Sequence, residues 1–84
     1  MAQTHKVTIK NMKYQPNPVP VAAGDAVEWT NQDSMQHTVT ADDGTFDSGA
    51  VAKNETFTQT FPTQGEVPYH CDFHPGMTGS VVVR

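Results

Sequence analysis

The chain has 84 residues, with nine acidic and five basic side chains and a formal net charge of -4 at pH 7. Phosphate binding needs clustered lysines and arginines, so this charge balance argues against nucleic acid as a partner. A single cysteine excludes an intramolecular disulfide and leaves a bound metal as the cross-link available to so small a domain. No segment approaches the roughly 18 apolar residues of a membrane span, and the first ten residues contain no apolar signal-peptide core.

The composition favours β-structure. Leucine is absent, isoleucine occurs once, and valine, threonine and phenylalanine fill most apolar and β-branched positions, a bias that suits pleated sheets. The predicted strands, in chain order, are HKVTIKNM (residues 5–12), AVEWTN (26–31), HTVTA (37–41), TFTQTF (56–61), EVPYHC (66–71) and SVVVR (80–84). Alternation along the first two strands predicts a core face of Val7, Ile9, Val27 and Trp29.

Turn residues separate these strands. Pro16, Pro18 and Pro20 exclude a central strand and predict an extended edge or a loop that leads to a turn at Gly24 and Asp25. A second tight turn is predicted at Gly44, because the preceding aspartate and this glycine favour positive φ angles. About seven short strands with turns every 8 to 12 residues or so predict one all-β domain over residues 1–84, a small β-sandwich or barrel.

The segment HCDFHPGMTG, residues 70–79, concentrates soft, electron-rich side chains. Cys71, His74 and Met77 are spaced by three and three, and Pro75 and Gly76 bend the loop between them. A loop after the strand EVPYHC can therefore bring these three side chains around one point. Such a site lacks one strong ligand.

The other three histidines are the candidates for this ligand. His70 neighbours Cys71 in an extended segment, so its side chain is expected to point to the opposite face. His5 lies near a terminus, where fraying is common. His37 begins a predicted strand at the same kind of strand-end position as Cys71, and sheet pairing can bring two such ends together. His37 is therefore the best fourth ligand.

Two imidazoles, one thiolate and a weak thioether form the ligand set of a blue-copper site. Zinc is the alternative metal, but structural zinc prefers four strong ligands, so Asp72 or water would have to replace the thioether. Alternation points Asp72 away from Cys71. Taken singly, a cysteine, a methionine and a strand-end histidine are most often structural, whereas their joint spacing in an all-β chain favours a metal site.

The chain resembles the cupredoxins, in particular the small plastocyanin and amicyanin type, over nearly its whole length. The similarity runs from VTIKNMKYQPNPVPVAAGDAVEWTN through HTVTADDGTFDSG to YHCDFHPGMTGSVVV. Its most specific part is Cys-x-x-His-x-x-Met followed by Gly79 and a valine strand. The resemblance implies a Greek-key β-sandwich and one type 1 copper ion with the ligands His37, Cys71, His74 and Met77.

The chain departs from the cupredoxin pattern directly after the first histidine ligand. Asparagine is common there, and its side chain ties down the cysteine loop, whereas this chain has Thr38. The backbone N–H of Thr38 is expected to reach the thiolate, with a shorter side-chain tether. We expect Asn31, like Thr38, to be one of the polar residues that support the metal ligands.

Four protein ligands and no open position predict a one-electron carrier that cycles Cu(II)/Cu(I), not an enzyme. Electrons are expected to enter and leave through the exposed edge of His74. The predicted docking patch around it consists of Met12, Pro16, Phe73, Pro75 and Gly76. Its partners are expected to be redox proteins in weak, transient complexes, with the chain itself a monomer. The resemblance implies a periplasmic or other extracytoplasmic location.

Two other functions remain open at this point. If Met77 does not coordinate, the open axial position would allow copper chemistry on a small molecule such as a nitrogen oxide. The other is a module without redox function, either a copper carrier or a zinc-stabilised binding domain. A carrier would exchange its copper readily with a chelator, whereas an electron carrier would retain it.

Overall fold

The structure, a computed structural model, describes residues 2–84. Its strands are β1 Thr4–Lys10, β2 Lys13–Gln15, β3 Val19–Val21, β4 Ala26–Asn31, β5 Thr40–Ala41, β6 Thr56–Thr60, β7 Gly65–His70 and β8 Thr78–Val83. Within this range there are eight strands, one more than the approximate number predicted. No helix of the described residues is long and apolar enough to cross a membrane.

The strands form two four-stranded sheets. The first sheet has the order β2-β1-β4-β6, and the second has the order β3-β8-β7-β5. Pairing is parallel between β1 and β4 and between β3 and β8, and it is antiparallel between the other neighbours. The all-β fold predicted from composition and alternation is confirmed, and it is the sandwich that the resemblance implies.

The core lies between the two sheets around Trp29. As the alternation predicts, Val7, Ile9, Val27 and Trp29 have no exposed surface. The rings whose centroids lie 5.4 to 6.3 Å from the Trp29 ring are those of Phe46, Phe57, Phe61 and Tyr69. This aromatic cluster draws on both sheets, and the apolar surface that it buries stabilises the contact between them.

Both predicted turns are present. Asp25 N donates to Ala22 O at 3.0 Å, and Gly24 between them has a φ of 96°. Gly44 N donates to Ala41 O at 3.0 Å with a φ of 80°. The segment before the first turn is extended along the sheet edges as β2 and β3, as its prolines predict.

The predicted strand HTVTA is only partly regular. His37 forms an isolated bridge with Val51, and the strand proper is limited to Thr40–Ala41. Between them, Val39 N donates to the Ser48 hydroxyl at 2.7 Å. A side chain thus replaces the backbone acceptor that a continuous strand would need. The result is a short, irregular connection that leads from His37 into the second sheet.

Candidate metal centre

The loop after β7 is closed by hydrogen bonds between the backbones of its own candidate ligands. Cys71 N donates to Met77 O at 3.0 Å, His74 N to Cys71 O at 3.4 Å, and Met77 N to His74 O at 3.1 Å. Gly76, with a φ of 88°, provides the left-handed position that the tight return requires. The three-and-three spacing therefore corresponds to two successive turns that direct the chain back into β8.

His37 reaches the same end of the sandwich from a separate segment. Its backbone exchanges hydrogen bonds with Val51, His37 N to Val51 O at 3.2 Å and Val51 N to His37 O at 2.8 Å. Its side chain is completely buried. The bridge fixes the backbone from which the imidazole projects.

Three ligand atoms converge between these two segments. His37 Nδ1 lies 3.8 Å from Cys71 Sγ, His74 Nδ1 lies 3.5 Å from Cys71 Sγ, and the two Nδ1 atoms are 3.2 Å apart. These residues form the group of potential metal ligands found among residues 2–84. His37 and Cys71 are buried, whereas His74 is half-buried.

The dimensions of this triangle suit a metal ion. A point equidistant from the three atoms lies about 2 Å from each, close to the metal–nitrogen and metal–sulfur distances of about 2.0 to 2.3 Å in protein metal sites. One thiolate and two imidazoles are also the donors that copper prefers in a trigonal site. The residues present therefore fit copper in both dimension and chemistry.

Asp33 determines which nitrogen of His37 faces the site. His37 Nε2 donates to Asp33 Oδ2 at 2.8 Å, which leaves the lone pair of Nδ1 directed toward Cys71. Asp33 also accepts from Asn11 N at 2.8 Å and Met12 N at 3.0 Å. Burial raises the pKa of Asp33, but the hydrogen bonds from Met12, Asn11 and His37 lower the pKa by a larger amount. The pKa of Asp33 is therefore below its usual value. Sequence reasoning did not assign Asp33 to the site.

Thr38 contacts both Cys71 and the loop that follows it. Its backbone N–H donates to Cys71 Sγ at 3.3 Å, and Asp72 N donates to its Oγ1 at 2.8 Å. The hydroxyl of Thr38 thus ties down the residue after the cysteine, which is the task that asparagine commonly has in the cupredoxin pattern. The shorter side chain is long enough for this contact.

Asn31 supports the loop that leads to His37. Its Nδ2 donates to Met35 O at 2.9 Å and to Val51 O at 2.8 Å, and its Oδ1 accepts from Asp33 N at 2.8 Å. All three partner groups belong to the frame around His37, yet Asn31 itself does not contact the candidate ligand atoms. Its effect on the site therefore passes through Asp33 and Val51.

Met77, the fourth ligand predicted from the sequence, is buried at the end of the loop with 5% of its surface exposed. It lines a surface cavity of about 320 Å³ together with Met12, Tyr14 and Gly76. Its coordination remains a prediction. Two other residues that were considered as ligands are engaged elsewhere, since Asp72 Oδ1 contacts His70 Nε2 at 2.8 Å.

His74 is half-buried, and the residues of the predicted docking patch are exposed. Met12 and Phe73 of the predicted docking patch are 39% and 50% exposed, and Pro16, Pro75 and Gly76 are also exposed. Met35, which sequence reasoning missed, is 54% exposed. The signal that could have identified it is its place in the loop directly before His37.

Two sheets packed around an aromatic core, with a His-Cys-His cluster at one end, define a β-sandwich with a candidate copper centre. Comparison with known proteins agrees with this class. The sequence model of the cupredoxin-like domain family matches residues 1–83. The chain therefore belongs to the cupredoxin-like family.

Curated relatives include amicyanins and plastocyanins. Amicyanin of Paracoccus denitrificans is 37% identical over 83 residues, which cover 93% of this chain and 63% of that protein. Amicyanin-alpha of Methylorubrum extorquens is 34% identical over 88 residues, covering 99% of this chain and 74% of that protein. A chloroplastic plastocyanin of Tetradesmus obliquus is 32% identical and is covered to 58% of its length. The chain thus spans about 58 to 74% of the length of these relatives.

Solved structures of amicyanin variants share the fold. The oxidized state of one variant superposes with a TM-score of 0.91 at 34% identity, over 96% of this chain and 82% of the other. A Cu(I) form of another variant gives a TM-score of 0.90 at 32% identity over the same shares.

Proposed function

We propose that this chain is a one-electron carrier with a single copper ion bound by His37, Cys71 and His74, and with Met77 as a fourth, weaker ligand. The main support for this proposal is that two Nδ1 atoms and one Sγ atom lie within 3.2 to 3.8 Å of one another. A copper ion bound there would supply Cu(II)/Cu(I) chemistry. Amicyanins and plastocyanins, the relatives of this chain, are type 1 copper electron carriers.

The surrounding residues would hold the ligands in place during electron transfer. Asp33 keeps the Nδ1 lone pair of His37 directed at the site, and the Thr38 N–H donates to Cys71 Sγ. Burial of His37 and Cys71 excludes bulk water from most of the site. A fixed, largely dry ligand set limits the rearrangement that accompanies a change of copper charge, which favours electron transfer over catalysis on a bound substrate.

His74 would form the contact with redox partners. It is half-buried, and the exposed side chains of Met12, Met35 and Phe73 would border the surface that it reaches. A small apolar patch of this kind suits weak, rapidly dissociating complexes with redox proteins. The chain would act as a single domain over residues 1–84, in the periplasm or another extracytoplasmic compartment, as its similarity to amicyanin and plastocyanin suggests.

Addition of Cu(II) to the apoprotein tests this function directly. We expect an intense visible absorption band from thiolate-to-copper charge transfer and the EPR spectrum of a type 1 site. Cys71→Ser should abolish the band, and His37→Gln and His74→Gln should abolish or strongly change it. His5→Gln is the matched control and should leave the spectrum unchanged, because His5 pairs with Asp25 outside the site. A colourless copper adduct of the wild-type chain would disprove the proposal.

A second candidate is copper chemistry on a small molecule, and the cavity of about 320 Å³ beside Met77 is the observation in its favour. If this second function is correct, a small anion such as azide would bind to copper in place of the Met77 thioether. The copper-loaded protein would then change its absorption and EPR spectra on addition of azide. We expect no such change for an electron carrier with Met77 bound.

A further inference from the structure

The two sheets have four edge strands, and three of them are protected against pairing with another chain. β2 has three residues and begins with Lys13, β3 contains Pro20, and β5 has only two residues. Brevity, lysine and proline are the usual means by which proteins block a sheet edge. β6 differs, since its five residues, TFTQT, include neither a charge nor a proline. It therefore presents an open edge.

The backbone register shows which groups this edge offers. At the two ends of the β4-β6 ladder, Asn31 N donates to Glu55 O at 3.1 Å and Phe61 N donates to Asp25 O at 2.9 Å. The odd-numbered residues of β6 therefore face β4. Because successive residues of a strand direct their N–H and C=O groups to opposite sides, Thr56, Thr58 and Thr60 point to the free side.

These three threonines are accessible. Each of them is exposed, and no backbone hydrogen bond to their outward groups occurs among residues 2–84. The single contact is a hydrogen bond from Gln59 Nε2 to Thr60 O at 3.3 Å. It is exposed, and its donor is a long side chain of the same strand. The outward N–H and C=O groups are therefore available to a further strand.

We propose that β6 pairs antiparallel with β6 of a second copy, about a two-fold axis at Thr58. The two Thr58 residues would exchange a pair of hydrogen bonds, and Thr56 would do the same with Thr60 of the second copy. Threonine lies opposite threonine at every outward position, a favourable cross-strand pair. Phe57, half-buried in the monomer, would lie opposite Gln59 of the second copy and lose further exposed surface. The near-palindromic sequence favours a second copy over an unrelated strand.

Electrostatics permit this contact, although the chain has a net charge of -4. β6 has no charged side chain, so no carboxylates lie opposite each other in the new ladder. Glu28 on β4 is the acid that lies opposite Thr58 in the sheet. Three strand spacings would separate it from its counterpart, about 14 Å. This separation exceeds the Debye length of about 8 Å at physiological salt.

The interface is too small for a permanent dimer. A five-residue edge buries less than about 1,200 Å² in total, the range of weak and transient complexes. The chain is therefore a monomer when dilute, as the sequence predicts, and a dimer when concentrated. β6 belongs to the first sheet, whereas His74 and Phe73 follow β7 of the second sheet, so each copy keeps its own surface around His74.

Sedimentation equilibrium of the full chain tests the proposal, with a reductant present so that Cys71 cannot link two copies. The mass should rise from 9.2 kDa toward twice this value between about 10 µM and about 1 mM, the range that a weak dimer requires. Thr58→Lys should keep the mass at the monomer value, because two ammonium groups would then meet at the axis. Thr4→Lys adds the same charge at an exposed position on β1 and is the matched control. It should dimerise like the wild-type chain.

Amide chemical shifts locate the contact in the same samples. Concentration-dependent shifts should concentrate in Thr56–Thr60, and circular dichroism should show that the variants are folded. A wild-type mass that stays at 9.2 kDa at about 1 mM would overturn the proposal. The same conclusion would follow from dimerisation of folded Thr58→Lys, or from growth beyond the dimer, because a two-fold pairing of one edge per copy closes.

Discussion

At the residue scale, Thr38 shows how a small side chain can replace a larger one beside the candidate ligands. Its backbone N–H contacts Cys71 Sγ, while its hydroxyl accepts from Asp72 N and lies 3.0 Å from the hydroxyl of Thr40. The cysteine and the next residue are thus attached to the same threonine. One hydroxyl thus adds to the backbone hydrogen bonds that hold the Cys71 loop in position.

Thr38→Val tests the role of this hydroxyl, because valine keeps the branched shape and the backbone N–H. Without an acceptor for Asp72 N, the unfolding free energy should fall by about 1 kcal/mol, as for one hydrogen bond. Urea denaturation of the apoprotein measures this loss. Thr38→Ser retains the hydroxyl and should lose less. Equal stability of Thr38→Val and the wild-type chain would show that the contact does not stabilise the loop.

At the element scale, local patterns account for what the sequence could predict. The spacing of Cys71, His74 and Met77 lies within one loop, so their shared location followed from the sequence alone. The contacts of Asp33 with Asn11 and Met12 span 22 and 21 residues, and no periodicity signals them. The irregular backbone at Val39 was missed for the same reason, since its acceptor, Ser48, lies nine residues away.

Gly79 is required for the packing of β7 against β8. It lies opposite Tyr69 in this ladder, and a Cβ at Gly79 would overlap the buried ring of Tyr69. Space, not a positive φ angle, therefore requires glycine here. The sequence identified this glycine but not its reason, because the tyrosine ring approaches from another strand.

Gly79→Ala should lower the unfolding free energy by about 3 kcal/mol, at the upper end of the cost of overpacking. The Tyr69 ring is completely buried, so a shift of the ring would disturb the packing around it. Denaturation by urea measures the loss, and the same substitution in a Tyr69→Leu background is the control. There it should cost much less, because the two changes are coupled through one contact. Equal costs in both backgrounds would contradict this explanation.

The turn before β4 is attached to β1 through Asp25. This buried carboxylate accepts from His5 Nε2 at 2.8 Å, Gln3 N at 2.9 Å and Ala22 N at 3.1 Å. The hydrogen bond from His5, followed by those from Gln3 and Ala22, lowers the pKa of Asp25 from 3.8 to about 2. The charged form of Asp25 therefore stabilises the junction of these two elements.

The lowered pKa predicts an acid-dependent loss of stability. A depressed folded-state pKa contributes stability above the unfolded value of 3.8, and this contribution disappears as the pH falls toward about 2. Asp25→Asn should be less stable than the wild-type chain at pH 5 to 7 and should lose less on acidification. Urea denaturation from about pH 7 down to about pH 2 measures both effects. Glu28→Gln controls for net charge, and an unchanged acid dependence in Asp25→Asn would exclude this role.

At the scale of the whole molecule, negative charge is concentrated beside the candidate metal centre. His70 links Asp42 and Asp72, with contacts of 2.6 and 2.8 Å, and Thr40 contacts Asp47 at 3.1 Å. The hydrogen bond that His70 donates to Asp42, followed by the one that it donates to Asp72, raises the pKa of His70. Since Asp72 directly follows Cys71, this acidic surface adjoins the loop through which electrons are proposed to pass.

The acidic surface should therefore steer cationic partners toward the copper-loaded protein. Cu(I) and the Cys71 thiolate cancel, so the reduced protein keeps its formal charge of -4. Its oxidation by a cationic metal complex should slow by roughly tenfold as ionic strength rises from about 0.01 to 0.15 M, because the Debye length shrinks from about 30 to 8 Å. An anionic complex should show the opposite trend. Stopped-flow absorption of the charge-transfer band measures both rates.

Two variants with the same change of net charge separate local steering from the charge of the whole molecule. Asp42→Asn removes a charge from the acidic surface, while its remaining oxygen can still accept from His70. Glu66→Gln removes a charge at the opposite end of β7. Steering predicts that Asp42→Asn weakens the salt dependence with the cationic complex more than Glu66→Gln does, since screening limits each charge to its surroundings. Equal effects would mean that the acids act only through net charge, and that partner choice depends on the apolar side chains around His74.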